Sequence, residues 1–313
     1  MIICCGEALI DMVPVVSVDE QASFAPLVGG AIFNTAIGLG RLGAKVGMMS
    51  GVSTDLFGTQ LQEALEASKV DTSYLVKLNA PTTLAFVTLT NGQASYTFYD
   101  ENSAGRSLSL KDVPKLCAVD GEPKPSALYF GGISLINDPA ASAYCAFAED
   151  NAKDTVIVLD PNIRTSFITN EQAYRDGLQR IINVADIIKV SDEDLDWLVG
   201  EAEDEASQVA ALRGETQAII VVTKGADGAT AHLASGEQVH QGVPKVVVVD
   251  TVGAGDTFNS GLLAKLLELG VLTKSELSKI TSDQMQQALA FGAQVAGVNV
   301  TRQGANPPWL SEL

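Results

Sequence analysis

Short apolar segments alternate with longer segments of helical periodicity along most of the chain. The strand-like segments are residues 2–5, 46–50, 127–130, 155–159, 186–190 and 218–223. Apolar residues recur near a helical period over residues 55–68, 140–151, 171–184 and 191–199. Strands that are apolar throughout are typical of a parallel sheet covered on both faces. The pattern therefore predicts a three-layer α/β/α sandwich with a mostly parallel central sheet.

Two regions interrupt this alternation. Residues 12–28 follow no clear period and are predicted to be irregular, whereas residues 83–91 and 93–99 predict a hairpin turned at Asn91-Gly92. We expect the two insertions, about 12–28 and 83–106, to form a small β-sheet lid over the carboxyl ends of the strands, where ligands of open α/β sheets usually bind. The alternative is a pair of surface hairpins. Residues 1–313 are then a single domain that carries this lid.

Composition and charge narrow the possible partners. The 313 residues can bury a sizeable core, and 46% are hydrophobic against 19% charged, which indicates a globular protein. Twenty basic and 38 acidic residues give a net charge of −18, which disfavours nucleic acid and acidic membranes as partners. Four cysteines without a CxxC spacing, and only two histidines, do not support a zinc site. With no leader and no membrane-length apolar run, we expect a cytoplasmic, reduced protein.

The most informative segment is DTVGAGD at residues 250–256. It follows four valines, residues 246–249, that predict a buried strand, and it precedes an apolar helix. A Gly-Ala-Gly turn can direct successive N–H groups at one point, and the helix start adds the positive end of its dipole. Beside that anion hole, Asp256 could take a proton from an attacking hydroxyl, as phosphoryl transfer requires. The alternative is an ordinary strand–turn–helix connection in which Asp256 caps the helix.

Other polar residues follow the predicted strands. Asp11 comes after the first strand, Asn34 follows the glycine pair 29–30, and Arg164 ends the segment DPNIR. Carboxylate, amide and guanidinium groups can bind sugar hydroxyls or phosphate oxygens. Structural roles remain open for each of them: a solvated acid, a helix-surface residue beside a flexible turn, and an ion pair with Asp160.

The segment at 250–256 resembles the second signature of the ribokinase-type (PfkB) carbohydrate kinase family, which includes fructokinases, and VGGAIFN at 28–34 resembles the first. The resemblance covers nearly the whole chain and implies a ribokinase-like fold of the fructokinase-like branch that uses ATP and Mg²⁺. It implies Asp256 as the catalytic base and an anion hole from Gly253, Ala254 and Gly255. For the sugar it implies contacts from Asp11, Gly29, Gly30, Asn34, Phe98 and Arg164.

On the nucleotide side, TKGADG at 223–228 resembles the nucleotide loop of the same family. The resemblance implies cofactor contacts from Lys189, Ser191, Thr223, Gly225, Gly228 and Ala293. The family pattern Asn-x-x-Glu is replaced here by Ser191 and Asp194, so their part in Mg²⁺ or phosphate binding stays open. It also suggests a monovalent cation, with K⁺ as the candidate, near Asp250, Val252, Asn299, Arg302 and Gly304.

These observations predict an ATP-dependent sugar kinase that transfers the γ-phosphate to a primary hydroxyl of a small neutral sugar, with fructose as the first choice. Many fructokinases and 2-keto-3-deoxygluconate kinases carry Arg where this chain has Asp100, so binding of a carboxylated sugar should weaken. The alternatives are a 2-keto-3-deoxygluconate kinase and a catalytically silent sugar- or nucleotide-binding relative. A dehydrogenase is disfavoured because no GxGxxG follows the first strand. A homodimer through the lid is expected, with a monomer left open.

Overall fold

The computed structural model describes residues 1–16, 21–90, 93–116 and 124–313. The strands of these residues are β1 (Ile2–Cys5), β2 (Leu9–Val16), β3 (Ala22–Gly29), β4 (Val46–Met49), β5 (Gly51–Ser53), β6 (Val76–Leu78), β7 (Leu84–Thr90), β8 (Gln93–Tyr99), β9 (Ala127–Gly131), β10 (Val156–Asp160), β11 (Ile187–Ser191), β12 (Ile219–Thr223), β13 (Ala229–His232) and β14 (Gln238–Gln241). The α-helices are α1 (Ala31–Arg41), α2 (Leu56–Ala67), α3 (Ala104–Ser107), α4 (Ala140–Asn151), α5 (Glu171–Ile182), α6 (Asp192–Val199), α7 (Glu205–Arg213), α8 (Ala254–Glu268), α9 (Lys274–Leu277) and α10 (Ser282–Asn299).

The central layer of the described chain is an eight-stranded sheet in the order β4-β1-β9-β10-β11-β12-β13-β14. The strands from β4 to β12 pair in parallel, and β13 and β14 complete the edge antiparallel. One apolar cluster lies under α1, α2, α8 and α10, and a second lies under α4, α5, α6 and α7. Full burial of a Val, Leu or Ile side chain stabilises by about 1.5–3 kcal/mol, so the apolar strands hold the layers together. The predicted three-layer sandwich with a mostly parallel sheet is confirmed.

Local signals place the helix starts where the sequence predicts them. Asp55 caps α2 by accepting a hydrogen bond from the Gly58 N–H (2.8 Å), and Asn170 caps α5 in the same way through Ala173 (3.2 Å). Such caps satisfy N–H groups that have no acceptor within the helix. No helix within the described ranges is both long and apolar enough to cross a membrane.

A separate four-stranded sheet, in the order β3-β2-β7-β8, forms the lid sheet. The prediction that residues 12–28 are irregular was wrong, because β2 and β3 pair antiparallel from Leu9 opposite Gly29 to Val16 opposite Ala22. Two prolines interrupt the strand pattern in the sequence, yet Pro26 lies on the edge strand and Pro14 lies beyond the β2–β7 pairing, where proline is tolerated. The predicted turn at residues 91–92 lies outside the described residues.

The valine segment, residues 246–249, does not form the buried strand that the sequence predicts. Val247, Val248 and Val249 are 82%, 58% and 63% exposed, and the segment belongs to no strand. The Val249 N–H donates to the Val300 carbonyl (2.8 Å), so the segment runs past the end of α10 instead of joining the sheet. Its apolar character has a different use, because Val246 and Val248 line a cavity.

Candidate active site

A cleft of about 370 Å³, here named the polar cleft, opens at the carboxyl edge of the central sheet. Its floor comes from the ends of β10, β11 and the start of α8, since parallel strands bring their carboxyl ends to one edge. Leu9 and Asp11 of β2, with Tyr96 and Phe98 of β8, form the wall that the lid sheet contributes. The lid sheet therefore lies over the edge at which the central strands end.

A second cavity of about 570 Å³, here named the apolar cleft, lies on the other side of the Gly-Ala-Gly turn. Its walls include Val246 and Val248 of the valine segment, Phe258 of α8 and Ala293 of α10. Thr251, Ala254 and Gly255 line both cavities. The turn is therefore the place where the contents of the two clefts would meet.

Asp256 lies in the first turn of α8 at the base of the polar cleft, and it is 7% exposed. The Asn34 amide donates to one carboxylate oxygen (Nδ2–Oδ2 2.9 Å), and the Asn162 amide faces the other (Nδ2–Oδ1 3.4 Å). Burial raises the pKa of Asp256 to about 7, and the nearby Asp160 charge also raises it, against the lowering effect of Asn34. A carboxylate of this kind exchanges a proton near neutral pH, as a general base must.

The Gly-Ala-Gly turn supplies the start of α8 without a side-chain cap. Gly253 adopts the left-handed conformation (φ 72°) at the N-cap position, and it makes no side-chain hydrogen bond to the helix. The first N–H groups of a helix lack acceptors within the helix, and the helix dipole favours an anion there. The start of α8 can therefore bind a phosphate group between the two clefts.

Lys189 brings a positive charge to the same turn. A Cβ placed on Gly255 would lie 3.4 Å from the Lys189 ammonium, so the cation adjoins the turn. The side chain is buried and pairs with Asp160 (Nζ–Oδ2 3.0 Å). Burial alone would lower the pKa of Lys189, but the Asp160, Asp194 and Asp256 charges raise it above its usual value. The ammonium therefore stays charged where phosphate oxygens would lie.

Asp11 is the carboxylate that the lid sheet contributes. Burial raises the pKa of Asp11 to about 6, so its ionised form predominates above about that pH. A Cβ on Gly29, its neighbour on β3, would overlap the Asp11 carboxylate. Glycine at position 29 is thus required for Asp11 to reach the polar cleft.

A larger groove of about 980 Å³ lies at the opposite edge of the sheet, between α5 and α7. Its two arginines already donate to backbone carbonyls: Arg175 to Trp197 (2.9 Å), and Arg213 to Ala218 (2.9 Å) and His232 (2.6 Å). Both arginines of this groove therefore hold neighbouring backbone.

Comparison with known proteins identifies the family. The profile described as "pfkB family carbohydrate kinase" matches residues 1–312. The chain belongs to the pfkB family of carbohydrate kinases. It is 44% identical over 292 residues to a fructokinase of Rhizobium leguminosarum bv. trifolii, an alignment that spans 93% of this chain and 86% of the relative.

Solved structures of pfkB kinases share the whole fold. The fructokinase of Xylella fastidiosa with bound ATP superposes with a TM-score of 0.89 at 27% identity, covering 99% of this chain and 96% of that one. The fructokinase of Vibrio cholerae with fructose, ADP and calcium ion bound gives 0.80 at 26% identity, covering 97% and 94%. The chain is therefore a carbohydrate kinase, a phosphotransferase with the ribokinase-like fold.

Most of the predicted site residues lie in one of the two clefts. The polar cleft is lined by Asp11, Gly30, Asn34, Phe98, Arg164, Lys189, Ser191, Val252, Gly253, Ala254, Gly255 and Asp256. The apolar cleft is lined by Thr223, Gly225, Gly228 and Ala293, together with Ala254 and Gly255. Four of the six predicted nucleotide residues thus lie across the turn from the predicted sugar residues, whereas Lys189 and Ser191, also predicted to contact the nucleotide, line the polar cleft.

The residues predicted to hold a monovalent cation lie behind this turn. Asp250 accepts a hydrogen bond from the Gly304 N–H (Oδ2–N 2.8 Å), and Asn299 donates to the Val252 carbonyl (2.9 Å). Arg302 instead pairs with Glu312 near the carboxyl end (2.7 Å). The segment before α8 and the loop at the end of α10 thus contact each other directly, and these contacts support the Gly-Ala-Gly turn.

Two residues have partners that the sequence interpretation did not foresee. Asp100 does not line the polar cleft: its Oδ1 accepts hydrogen bonds from Thr83 (2.7 Å) and Ser103 (2.8 Å) at the base of the lid sheet. Contrary to the expectation from the sequence, Asp100 is therefore not placed to repel a carboxylated sugar in the polar cleft. Asp160 pairs with Lys189, not with Arg164, whose guanidinium donates to the Ile163 carbonyl (3.0 Å).

The polar cleft also has polar lining residues that were not among the predicted site residues, including Glu7, Tyr96, Asn162 and Glu193. Asn162 is in the segment DPNIR that drew attention to Arg164, and its positive φ of 44° turns its amide toward Asp256. Glu7 follows the first strand, and it accepts hydrogen bonds from the Ala31 N–H (3.0 Å) and the Ser134 N–H (3.3 Å). For Asn162 and Glu7, the position shortly after a strand end was the available signal.

Proposed function

We propose that the protein transfers the γ-phosphate of ATP to a primary hydroxyl of fructose, and thus acts as a fructokinase. The observation that carries the proposal is the pair of clefts that meet at the Thr251–Gly255 turn, with Asp256 on the polar side. The apolar cleft suits a flat adenine ring, and the polar cleft suits a molecule rich in hydroxyls. The relatives named fructokinase support fructose as the sugar.

The residues divide the work as phosphoryl transfer requires. Asp11 and Arg164 bind and orient the sugar, and Asp256 accepts the proton of the attacking hydroxyl. The N–H groups of the Gly253–Gly255 turn and the Lys189 ammonium stabilise negative charge on the transferring phosphoryl group. Phosphoryl transfer depends mainly on positioning and electrostatic stabilisation, which such fixed donors supply.

We include Mg²⁺ as the expected metal. Glu193 and Asp194 line the polar cleft beside Lys189, and Mg²⁺ is usually held by one or two carboxylates together with water and phosphate oxygens. Within the described ranges, no group of three or more His, Cys, Asp or Glu converges on one point, so the ion would depend on ATP for its ligands. When bound, it would neutralise phosphate charge. A K⁺ requirement stays part of the proposal, near Asp250 and Val252.

The proposal is tested by Mg²⁺–ATP-dependent release of ADP. The sugars are fructose, ribose, 2-keto-3-deoxygluconate, tagatose 6-phosphate and adenosine. We expect turnover of fructose in clear preference to the others. Turnover of 2-keto-3-deoxygluconate alone would keep the kinase and replace the sugar. Silence with all five, from folded protein that binds ATP, would favour a catalytically silent relative.

We also propose that two copies pair through the outer face of the lid sheet. Phe24 and Tyr99 are 48% and 62% exposed there, and Phe86 makes edge contacts with the rings of Phe24 (5.1 Å) and Tyr99 (5.4 Å). Exposed apolar patches often mark contact surfaces. Each copy carries a net charge of −18, so this apolar face rather than charge would hold the pair together.

Light scattering tests the pairing. We expect wild-type protein to have the mass of a dimer and Phe24→Asp to have the mass of a monomer. Because the two copies repel each other, the wild-type dimer should strengthen as salt screens their charge. A wild-type monomer at all salt concentrations would refute the pairing. Leu310→Asp is the matched control, because Leu310 is similarly exposed (54%) but lies near the carboxyl end.

A cytoplasmic location remains a prediction. Three of the four cysteines, Cys4, Cys5 and Cys145, are buried free thiols, and Cys117 lies outside the described residues. Free thiols are the usual state in a reducing compartment.

A further inference from the structure

We propose that Asp160 is a positioning residue: it holds the Lys189 ammonium beside the anion hole, and it also holds the loop that orients Asp256, the base. One carboxylate oxygen holds Lys189 beside the Gly255 turn, and the other holds the loop whose Asn162 amide faces Asp256. The inference rests on the proposed role of Asp256 as the base.

The geometry shows that Asp160 joins both parts of the site. Its Oδ2 accepts hydrogen bonds from the Lys189 ammonium (3.0 Å) and the Asn259 amide (2.6 Å). Its Oδ1 accepts the Asn162 N–H (3.2 Å), and the amide of the same Asn162 faces Asp256. Asp160 is 1% exposed, so water does not compete for these partners. A residue at the end of β10 thus contacts β11, α8 and the Asn162 loop at once.

The site would lose two things if this carboxylate were neutralised. Lys189 would lose its hydrogen-bonded ion pair and could shift away from the turn, while the Asp194 and Asp256 charges still raise its pKa. Asp256 would lose a negative neighbour that raises its pKa. Removal of that charge should therefore make Asp256 easier to ionise, which moves the acid limb of the pH profile downward.

The change in the pKa of Asp256 can be interpreted only if the other groups around Asp160 and Asp256 stay the same. The charged or titratable groups around Asp160 and Asp256 include Lys189 from β11, Asp194 from α6, Arg164 from the loop after β10, Tyr129 from β9, Tyr96 from β8 and Tyr174 from α5. The neutral amides are those of Asn34, Asn162 and Asn259. Asp160→Asn leaves all of them in place and keeps an oxygen acceptor at position 160.

The test measures kcat and the pH dependence of kcat/KM for fructose in Asp160→Asn. We expect kcat to fall about 10- to 100-fold, the cost of a small misplacement of reacting groups, and the acid limb to move to lower pH. Asp160→Asn combined with Lys189→Met removes both charges, so it should recover thermal stability without recovering kcat. Asp186→Asn is the matched control: Asp186 also pairs with a lysine, Lys274 (2.7 Å), but it precedes β11 at the opposite edge of the sheet. Asp186→Asn should lose stability and keep the wild-type pH profile.

Three outcomes decide against the inference. A folded Asp160→Asn with wild-type kcat and acid limb would overturn it. Recovery of kcat in the double variant would mean that only an unpaired charge had disturbed the fold. Asp256→Asn is measured in parallel: if it keeps full activity, the proposed base is wrong and the inference falls with it. If Asp256→Asn is inactive while Asp160→Asn is unchanged, only the role of Asp160 fails.

Discussion

Asp256→Asn should lower kcat for fructose by about 10²–10⁴-fold, the usual contribution of a general base. The amide has the shape of the carboxylate and keeps an oxygen that can accept the Asn34 hydrogen bond, but it cannot take the proton of the attacking hydroxyl. Sugar binding should be nearly unchanged, because Asp11 and Arg164 still line the polar cleft. Steady-state kinetics and calorimetric titration with fructose measure the two effects separately.

The pH dependence of kcat/KM in the wild-type enzyme is a second test of Asp256 as the general base. Since burial raises the pKa of Asp256 to about 7, the ionised base becomes more abundant as pH rises through that value. We expect kcat/KM to increase with pH across this range and then to level off. Asp283→Asn is the matched control, because Asp283 also lies in the first turn of a helix, α10, but is exposed and remote from both clefts. A kcat for Asp256→Asn close to that of Asp283→Asn would contradict the role of Asp256.

The central layer could be predicted from the sequence because its strands are buried on both faces. The run predicted at 155–159, for example, became β10 at Val156–Asp160. Residues 12–28 and 246–249 could not be predicted in this way. In the first, prolines interrupt the pattern of two strands that pair with each other, and one of them, β2, also pairs with β7 of a distant hairpin. In the second, consecutive valines line an apolar cavity rather than a sheet, and burial depends on neighbours that are distant in sequence.

In the candidate site, too, some features could be predicted from the sequence and others could not. The residues at strand ends and in the two signatures could be listed from the sequence, but their partners could not. Asn34 was expected to bind sugar hydroxyls, whereas in this structure its amide donates to Asp256. Asp160 and Lys189 are 29 residues apart and meet only because β10 and β11 are adjacent. Pairings of this kind follow from strand order, which local patterns do not contain.

Gly253→Ala should cause the second large loss of kcat, because the substitution disturbs the anion hole in two ways. An alanine at φ 72° enters the left-handed region, which costs about 1–2 kcal/mol. Its Cβ would also lie 2.6 Å from the Ala305 Cβ, so the turn or the carboxyl-terminal loop must move. Displaced N–H groups stabilise the transferring phosphoryl group less well. We expect kcat to fall about 10²–10³-fold, the usual cost of losing one such donor.

Gly270→Ala separates the two costs of Gly253→Ala. Gly270 has nearly the same φ (71°) just after the other end of α8, and a Cβ there would meet no atom within 4 Å. It should therefore lose similar stability in thermal unfolding while kcat stays at the wild-type value. Adding Ala305→Gly to Gly253→Ala removes the atom that the new Cβ would strike, so part of kcat should return. If Gly253→Ala lost only as much stability as Gly270→Ala and kept its kcat, the N–H groups of this turn would not stabilise the transferred phosphate.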